Sequence, residues 1–317
     1  MTAIYPWQKE QWRKGMSAQQ AGRLPHALLV HGSEGTGKLD FVHKFSQKLL
    51  CANETEKTAC GICKSCNLFR AGSHPDFKLL SSEENAPIKI EEIRSLEDQL
   101  KLTAYGPNYK IAVICPAENL NINAANSLLK TLEEPAANTL IILVSHRPQK
   151  LLPTIRSRCQ RIFIALPSTA EALDWLGDKD THTDPGLLLD MACGSPLLAL
   201  EYDKEEYLAA YKEFLTDFSA LYQQTADPMQ MSVKWHKENF SGLLKWLMWL
   251  TASIIKASMK SATVSDKMIL KYTNDTTDRR WLFEFYDDLL RTQNMIHSSI
   301  NQRLVLDNLM LKWHAKK

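Results

Sequence analysis

The residues with the clearest chemical potential form a phosphate-loop pattern near the start of the chain. Residues 32–38 read GSEGTGK and match the pattern G-x-x-x-x-G-K. In this pattern backbone N–H groups cradle phosphates at a helix N-terminus, and the lysine reaches the outer phosphates. The residues that would hold ATP or ADP are Gly32, Gly35, Gly37 and Lys38. The sequence therefore leaves nucleotide binding open.

The residues that hydrolysis requires do not accompany this loop. A Ser or Thr hydroxyl normally binds Mg²⁺ directly after the lysine, but Leu39 stands there and its side chain has no oxygen. A second Mg²⁺ ligand should be an acid at the end of a later apolar strand. The best such strand, residues 110–114, ends in Cys115 and Pro116, and Glu118 lies beyond it on a predicted loop. We therefore expect neither Mg²⁺ binding nor intrinsic hydrolysis.

Four cysteines after the phosphate-loop helix form a second candidate site. Cys51, Cys60, Cys63 and Cys66 have the spacing C-x8-C-x2-C-x2-C. In the cytosol, such a cluster favours tetrahedral thiolate coordination of Zn²⁺ over disulfides. Because four thiolates leave no coordination position for water, the predicted zinc is structural rather than catalytic. Gly61 suits a tight turn after Cys60, since glycine adopts positive φ freely.

An acidic helix end indicates contact with a partner. Residues 123–135 predict a helix that is capped by Asn123, carries an apolar stripe and stops at a proline. Glu133 and Glu134 lie in its last turn, where acids oppose the helix dipole. Because a broken local rule tends to mark a functional surface, the two glutamates are candidates for a subunit contact. The alternative is an acidic end that contacts only solvent.

A basic segment at residues 147–159 supplies a candidate arginine. Pro153 can begin a short helix, which places Arg158 at the end of that helix and directly before a predicted strand. An arginine offered there by one subunit can reach a γ-phosphate bound by the next, because its guanidinium stays charged and donates in pairs. The alternative is an ordinary surface ion pair.

Short apolar strands and helices alternate through the first half of the chain. This rhythm, with strands rich in Val, Ile and Leu, predicts an α/β fold with a parallel sheet and flanking helices. The predicted strands are residues 27–31, 77–80, 110–114, 140–145 and 161–164, and the predicted helices are residues 38–50, 90–102 and 124–132. After Pro167 the pattern is helical throughout. Its long helices carry Trp235, Trp246, Trp249, Trp281 and Trp313, which are expected in a core or on a face toward neighbouring chains.

Composition indicates an ordinary globular protein of two or three domains. The chain has 317 residues, of which 44% are hydrophobic and 23% charged. Residues 1–166 carry 21 Lys and Arg against 15 Asp and Glu, whereas residues 167–317 carry 17 against 21, and the modest +6 of the first part falls short of a dedicated DNA binder. The N-terminus lacks the pattern of a signal peptide, and the strongest apolar stretch, residues 246–255, is about half of the ~20 residues that span a membrane. We expect a cytoplasmic protein with no membrane segment.

The order of these motifs resembles bacterial DNA polymerase III clamp-loader subunits of the AAA+ class. The resemblance lies in the phosphate loop, the four-cysteine module, LLKTLEEP at residues 128–135 and Ser-Arg-Cys at residues 157–159. Within this class the sequence looks like the delta-prime subunits rather than the ATP-hydrolysing gamma/tau subunits. Residues 5–7, 71–76 and 194–196 also look like delta-prime, and the specific motifs together cover about residues 1–200.

The resemblance implies an architecture and a role. It implies an AAA+ ATPase-like domain at residues 1–166 with a zinc module inserted at 51–66, a helical lid at 167–203 and an all-α collar at 204–317. The acidic pair of the motor subunits falls on Cys115 and Pro116, and their sensor arginine has no counterpart among residues 196–199. The implied role is a non-hydrolysing stator in a DNA polymerase holoenzyme, with Arg158 completing the ATP site of a neighbouring gamma/tau motor subunit. The implied partners are the gamma/tau and delta subunits, with the sliding clamp and primed DNA reached through the complex.

Two alternatives remain open. A gamma/tau-type ATPase would hydrolyse ATP as an isolated chain. A zinc-containing nucleic-acid-binding module with a vestigial phosphate loop would bind DNA by itself with a steep salt dependence, because phosphate contacts release counterions.

Overall fold

The computed structural model describes residues 4–53, 58–82, 86–101, 106, 109–236, 240–259, 278–295 and 301–315. It contains two compact units. The first is Met1–Asp174 with Ser195–Leu198, and the second is Trp175–Gly194 with Ala199–Lys317. The predicted division into an ATPase-like domain, a lid and a collar stays a prediction.

The first unit is built on a parallel sheet of five strands. The strands are β1 (Ala27–His31), β2 (Phe77–Ser81), β3 (Lys110–Cys115), β4 (Thr139–Ser145) and β5 (Gln160–Phe163), and their order across the sheet is β2-β3-β4-β1-β5. The strand β1 pairs with both neighbours, so that Leu28 lies opposite Ile142 and Gln160. Every side chain of β4 is buried, as expected for a parallel sheet covered on both faces.

Helices flank this sheet, and several of them bury apolar side chains against it. They are α1 (Lys9–Gln20), α2 (Lys38–Leu50), α3 (Lys64–Arg70), α4 (Ile90–Lys101), α5 (Ile122–Glu133) and α6 (Pro153–Arg158). Helices α4 and α5 pack side by side, and Leu96, Leu128 and Leu132 lie in a continuous core with Ile141 and Leu143 of β4. The predicted strands and helices of this unit are confirmed, with ends that shift by one or two residues.

One predicted cap is wrong. Helix α5 is capped by Asn121, whose side chain accepts a hydrogen bond of 2.8 Å from the N–H of Ala124, and Asn123 lies inside the first turn. An asparagine side chain satisfies the N–H two or three residues ahead. Since both residues fit that pattern, the local sequence could not decide between them.

The remaining helices lie mainly in the second unit, and two of them begin with residues of the first. They are α7 (Thr169–Gly177), α8 (Pro185–Met191), α9 (Pro196–Tyr202), α10 (Glu205–Tyr222), α11 (Pro228–His236), α12 (Phe240–Ser258), α13 (Arg279–Met295) and α14 (Gln302–His314). The five tryptophans expected in a core or on a contact face divide into two groups. The buried ones are Trp235, Trp246 and Trp313, and the half-buried ones are Trp249 and Trp281. In the part of the chain that the structure describes, no helix combines the length and apolarity needed to cross a membrane.

Candidate functional site

The phosphate loop connects the carboxyl end of β1 to α2, and its glycines are required by backbone shape and by packing. Gly35 and Gly37 have φ of 71° and 73°, a region that other residues rarely adopt. A Cβ at Gly32 would lie 2.1 Å from the carbonyl oxygen of Ile164, and one at Gly35 would lie 2.7 Å from the Cβ of Leu198. The loop is therefore packed too closely for larger residues at these positions.

The segment before α1 fixes the second half of the loop. The indole Nε1 of Trp7 donates to the carbonyl oxygen of Thr36 at 3.0 Å. The amide Nε2 of the fully buried Gln8 donates at 2.8 Å to the carbonyl oxygens of both Thr36 and Gly37. These bonds occupy carbonyl groups, so they do not compete with an anion for the N–H groups of the loop.

The Gly-Ser-Pro segment at the start of α9 fixes the first half. The Oγ of Ser195 donates to the carbonyl oxygen of Glu34 at 2.5 Å, and the N–H of Leu197 donates to the carbonyl oxygen of Gly35 at 3.2 Å. The first turn of α9 has the sequence Pro-Leu-Leu-Ala and brings no arginine to the loop. With its carbonyl groups held on both sides, the loop keeps a shape that can present N–H groups to a phosphate.

Lys38 is buried at the base of the loop. The residue is only 7% exposed, and its Nζ donates to the carbonyl oxygen of Ser33 at 2.6 Å. Burial lowers the pKa of Lys38 to about 8, although the carboxylates of Glu118 and Glu34 act in the opposite direction. At neutral pH the amine is still mostly charged, and it could exchange the Ser33 oxygen for a phosphate oxygen.

The end of β3 carries a thiol where a metal-binding acid is needed for hydrolysis. Burial raises the pKa of Cys115 to about 11, and the charge of Glu118 adds to the shift. The neutral thiol is a poor ligand for Mg²⁺, which prefers oxygen. Pro116 follows and provides no side-chain donor or acceptor. Leu39 lies in the first turn of α2, as the sequence predicted.

Glu118 has a place that sequence reasoning missed. It lies in a short 3-10 helix, Ala117–Asn119, rather than on an irregular loop, and its side chain is only 4% exposed. Its Oε1 accepts hydrogen bonds from the N–H groups of His146 at 3.1 Å and Arg147 at 3.0 Å. Glu118 thus ties the chain after β3 to the turn after β4. The only sequence signal was an acid three residues beyond the strand end. Its hydrogen-bond partners could not be named from the sequence, because they depend on β3 and β4 being neighbours in the sheet.

The four predicted cysteines come together as one cluster. Their Sγ atoms all lie within 4.8 Å of one another, and the Sγ atoms of Cys51 and Cys63 are 4.0 Å apart. Tetrahedral zinc with Zn–S bonds of about 2.3 Å separates its sulfurs by about 3.8 Å, so the cluster fits such an ion closely. Gly61 has φ of 75° in the turn after Cys60, as the sequence predicted.

Backbone N–H groups surround the cysteine sulfurs. The N–H of Cys60 donates to the Sγ of Cys51 and the N–H of Cys66 donates to the Sγ of Cys63, both at 3.4 Å. Burial opposes ionisation of Cys63, but hydrogen bonds from the N–H groups of Cys66 and Ala52 and from the side chains of Cys66 and Cys60 together lower the pKa of Cys63 to about 6. Such bonds favour the thiolate form that a metal requires.

Arg158 ends α6 as predicted, and it is paired within the chain. Its Nη2 donates to the Oε1 of Glu133, the last residue of α5, and its Nη1 donates to the carbonyl oxygen of Thr154 at 3.1 Å. The side chains of Arg158 and Glu133 are 35% and 51% exposed. We call Arg158, Glu133 and Thr154 the arginine edge. Neither contact partner of Arg158 belongs to the phosphate loop.

Comparison with protein families gives matches over most of the chain. A family model described as "DNA polymerase III, delta subunit" matches residues 7–167. A second model, described as "DNA polymerase III, delta subunit, C terminal", matches residues 205–315.

Relatives named as delta-prime subunits match nearly the whole chain. A Pseudomonas aeruginosa protein named "DNA polymerase III subunit delta'" is 32% identical over 99% of this chain and 98% of its own length. An Escherichia coli protein of the same name is 31% identical over 97% of this chain and 94% of its own length. Among solved structures, a DNA polymerase III gamma-subunit-related protein from Thermotoga maritima is 18% identical, covers 95% of this chain and 99% of its own, and gives a TM-score of 0.42.

Proposed function

Because the chain belongs to the family of DNA polymerase III delta-prime subunits, we propose that it is a non-hydrolysing stator of the clamp loader and supplies Arg158 in trans. In this role it assembles with gamma/tau motor subunits and a delta subunit, and the complex places a sliding clamp on primed DNA. Arg158 approaches the γ-phosphate of ATP bound by the adjoining motor subunit. It stabilises the negative charge that develops on the transferred phosphoryl group.

The observation that carries this proposal is the contrast between the two ends of the same unit. The strand that should supply a metal-binding acid ends in Cys115 and Pro116, whereas Arg158 stands partly exposed at the end of a short helix. A unit of this kind lacks the oxygens that hydrolysis in cis requires. It retains a cation that a neighbouring subunit can use.

The test is the ATPase rate of a reconstituted loader that contains the motor and delta subunits, stimulated by clamp and primed DNA. In related NTPases a trans arginine is worth about 10³–10⁵ in rate, so Arg158→Ala should remove most of the stimulated turnover at the sites it serves. Arg156→Ala is the matched control, because Arg156 lies on the same helix two residues earlier. Assembly of each loader is checked by size-exclusion chromatography.

Three outcomes would contradict the proposal. Unchanged turnover of the assembled Arg158→Ala loader would leave this arginine a structural role only. An equal loss in the Arg156→Ala loader would point to the charge of the helix rather than to a specific phosphate contact. ATP hydrolysis by the isolated chain would assign it to the motor class.

The proposed role includes a structural zinc ion held by Cys51, Cys60, Cys63 and Cys66. Bound zinc would fix the segment between α2 and α3 without offering a position to water. Metal analysis of the purified chain should find about one zinc per chain, falling to near zero in Cys60→Ser. Cys193→Ser is the control, because Cys193 is an exposed cysteine outside the cluster. Zinc retained by Cys60→Ser would contradict the assignment.

The phosphate loop is proposed to bind ADP or ATP without hydrolysing it. The support is the fixed loop shape together with the buried, charged Lys38. Calorimetric titration of the chain with ADP in the absence of Mg²⁺ should show binding that Lys38→Met abolishes. Lys14→Met, which removes an exposed lysine of α1, should leave it unchanged. No heat from the wild-type chain would restrict the loop to a structural role.

A further inference from the structure

The pairing of Arg158 with Glu133 leaves part of the guanidinium available. An arginine has five N–H donors in a fixed plane. Two of them are bound in this structure, one from Nη2 to Glu133 and one from Nη1 to the carbonyl of Thr154. Two bonds to different nitrogens fix the orientation of the plane, and the other three N–H groups bind none of the described residues.

The position of Glu133 is not explained by the stability of its own helix. Glu133 is the last residue of α5, where the carbonyl ends of the helix make a negative charge unfavourable. The neighbouring Glu134 carries the same charge at the same helix end, yet it forms no ion pair with the described residues. Glu133 is thus the member of the acidic pair that has a specific partner, and this partner is the arginine proposed to act in trans.

We propose that Glu133 is a positioning residue for Arg158 and acts on the neighbouring subunit's ATP only through it. This inference rests on the proposed function. A long arginine side chain otherwise samples many rotamers, and fixing it before the subunits meet removes that entropic cost from the reaction. Because three donors bind none of the described residues, the guanidinium can bind a phosphate while it keeps its bond to Glu133. The partial exposure of both side chains keeps the guanidinium within reach of a partner.

The experiment compares loaders that contain this chain as wild type, Glu133→Ala, Glu133→Gln and Glu134→Ala. Turnover at saturating ATP should fall about two- to fivefold with Glu133→Ala, the range that an exposed charge pair can supply. Glu133→Gln keeps an acceptor oxygen and should recover part of the loss. Glu134→Ala removes the same charge from the same helix end, and any loss it causes should be smaller than that of Glu133→Ala and should not depend on Arg158.

A double-mutant cycle separates positioning from an independent subunit contact. If Glu133 acts only through Arg158, Glu133→Ala should cause no further loss in a loader that already carries Arg158→Ala. The inference is overturned if Glu133→Ala matches Glu134→Ala, if it raises turnover, or if its loss persists in the Arg158→Ala background. Its failure is distinguishable from that of the proposed function, because the proposed function is judged by the Arg158→Ala and Arg156→Ala loaders and by the isolated chain, not by the Glu133 variants.

Discussion

The phosphate loop and the arginine edge meet opposite physical demands. In the loop, carbonyl groups from Ser33 to Gly37 accept hydrogen bonds from protein donors, and the glycines touch their surroundings closely. At the arginine edge, Arg158 makes two hydrogen bonds to described residues, and both charged side chains are partly exposed. One region is fixed by its own unit, whereas the other remains available to a partner.

This difference shows why an intact phosphate-loop motif is weak evidence for hydrolysis. Gly35 is required by its positive φ and by its contact with Leu198, whether or not a nucleotide is bound. Packing and backbone shape can therefore account for the glycines of the motif without any hydrolysis. The ion pair of the arginine edge is partly exposed, so it should contribute little to the stability of the fold. Mutations should accordingly reduce stability at the loop and reduce the activity of the complex at the edge.

The largest expected loss of stability is at Gly35. Gly35→Ala forces a side chain into positive φ and into contact with Leu198, which should lower the free energy of unfolding by about 3–5 kcal/mol. Gly22→Ala is the matched control, because Gly22 has φ of 64° but a Cβ added there would meet nothing within 4 Å. Gly22→Ala should lower the free energy of unfolding by about 1–2 kcal/mol. Equal losses in urea unfolding would mean that the loop is not tightly packed.

Lys38 should give the loop a distinctive pH dependence. Its pKa is lowered from 10.5 to about 8 in the folded chain, mainly by burial. Between these values the unfolded chain binds the proton and the folded chain does not, so stability rises with pH across this window, by about 3 kcal/mol for a shift of this size. Urea unfolding from pH 7 to 10.5 should show this rise in the wild type relative to Lys38→Met. A constant difference between the two proteins would contradict it.

Gln8 should contribute somewhat less to the free energy of unfolding than Gly35 and Lys38 do. Gln8→Ala removes the donor to the carbonyl groups of Thr36 and Gly37 in a fully buried position, which should cost about 2 kcal/mol. Gln20→Ala, at the exposed end of α1, should stay within about 0.5 kcal/mol of wild type. Similar unfolding midpoints for the two variants would show that this segment does not hold the loop.

The fold of the first unit could be predicted from sequence because its signals are local. Runs of Val, Ile and Leu define strands that are buried on both faces, and the glycines and Lys38 mark the start of α2. The choice between Asn121 and Asn123 as the cap of α5 could not be made, because both residues suit the position. Helix ends depend on which competing hydrogen bond wins in three dimensions.

The candidate site was predictable where its residues lie close in sequence. The cysteine cluster spans 16 positions and its members come together as predicted. The contacts of Glu118 with His146 and of Arg158 with Glu133 were not predictable, since the paired residues lie 28 and 25 positions apart along the chain. Those contacts depend on the order of strands in the sheet and on the packing of α5 against α6, and neither is encoded by local spacing.

The smallest expected effect is the loss of stability on removing Arg158. The ion pair with Glu133 is partly exposed, and such pairs contribute about 0–1 kcal/mol, so Arg158→Ala should barely change the urea midpoint of the isolated chain. An unchanged midpoint matters because it allows a fall in loader turnover to be attributed to a lost phosphate contact. A loss as large as that expected for Gly35→Ala would place Arg158 among the residues that maintain the fold. The contrast between the phosphate loop and the arginine edge would then be wrong.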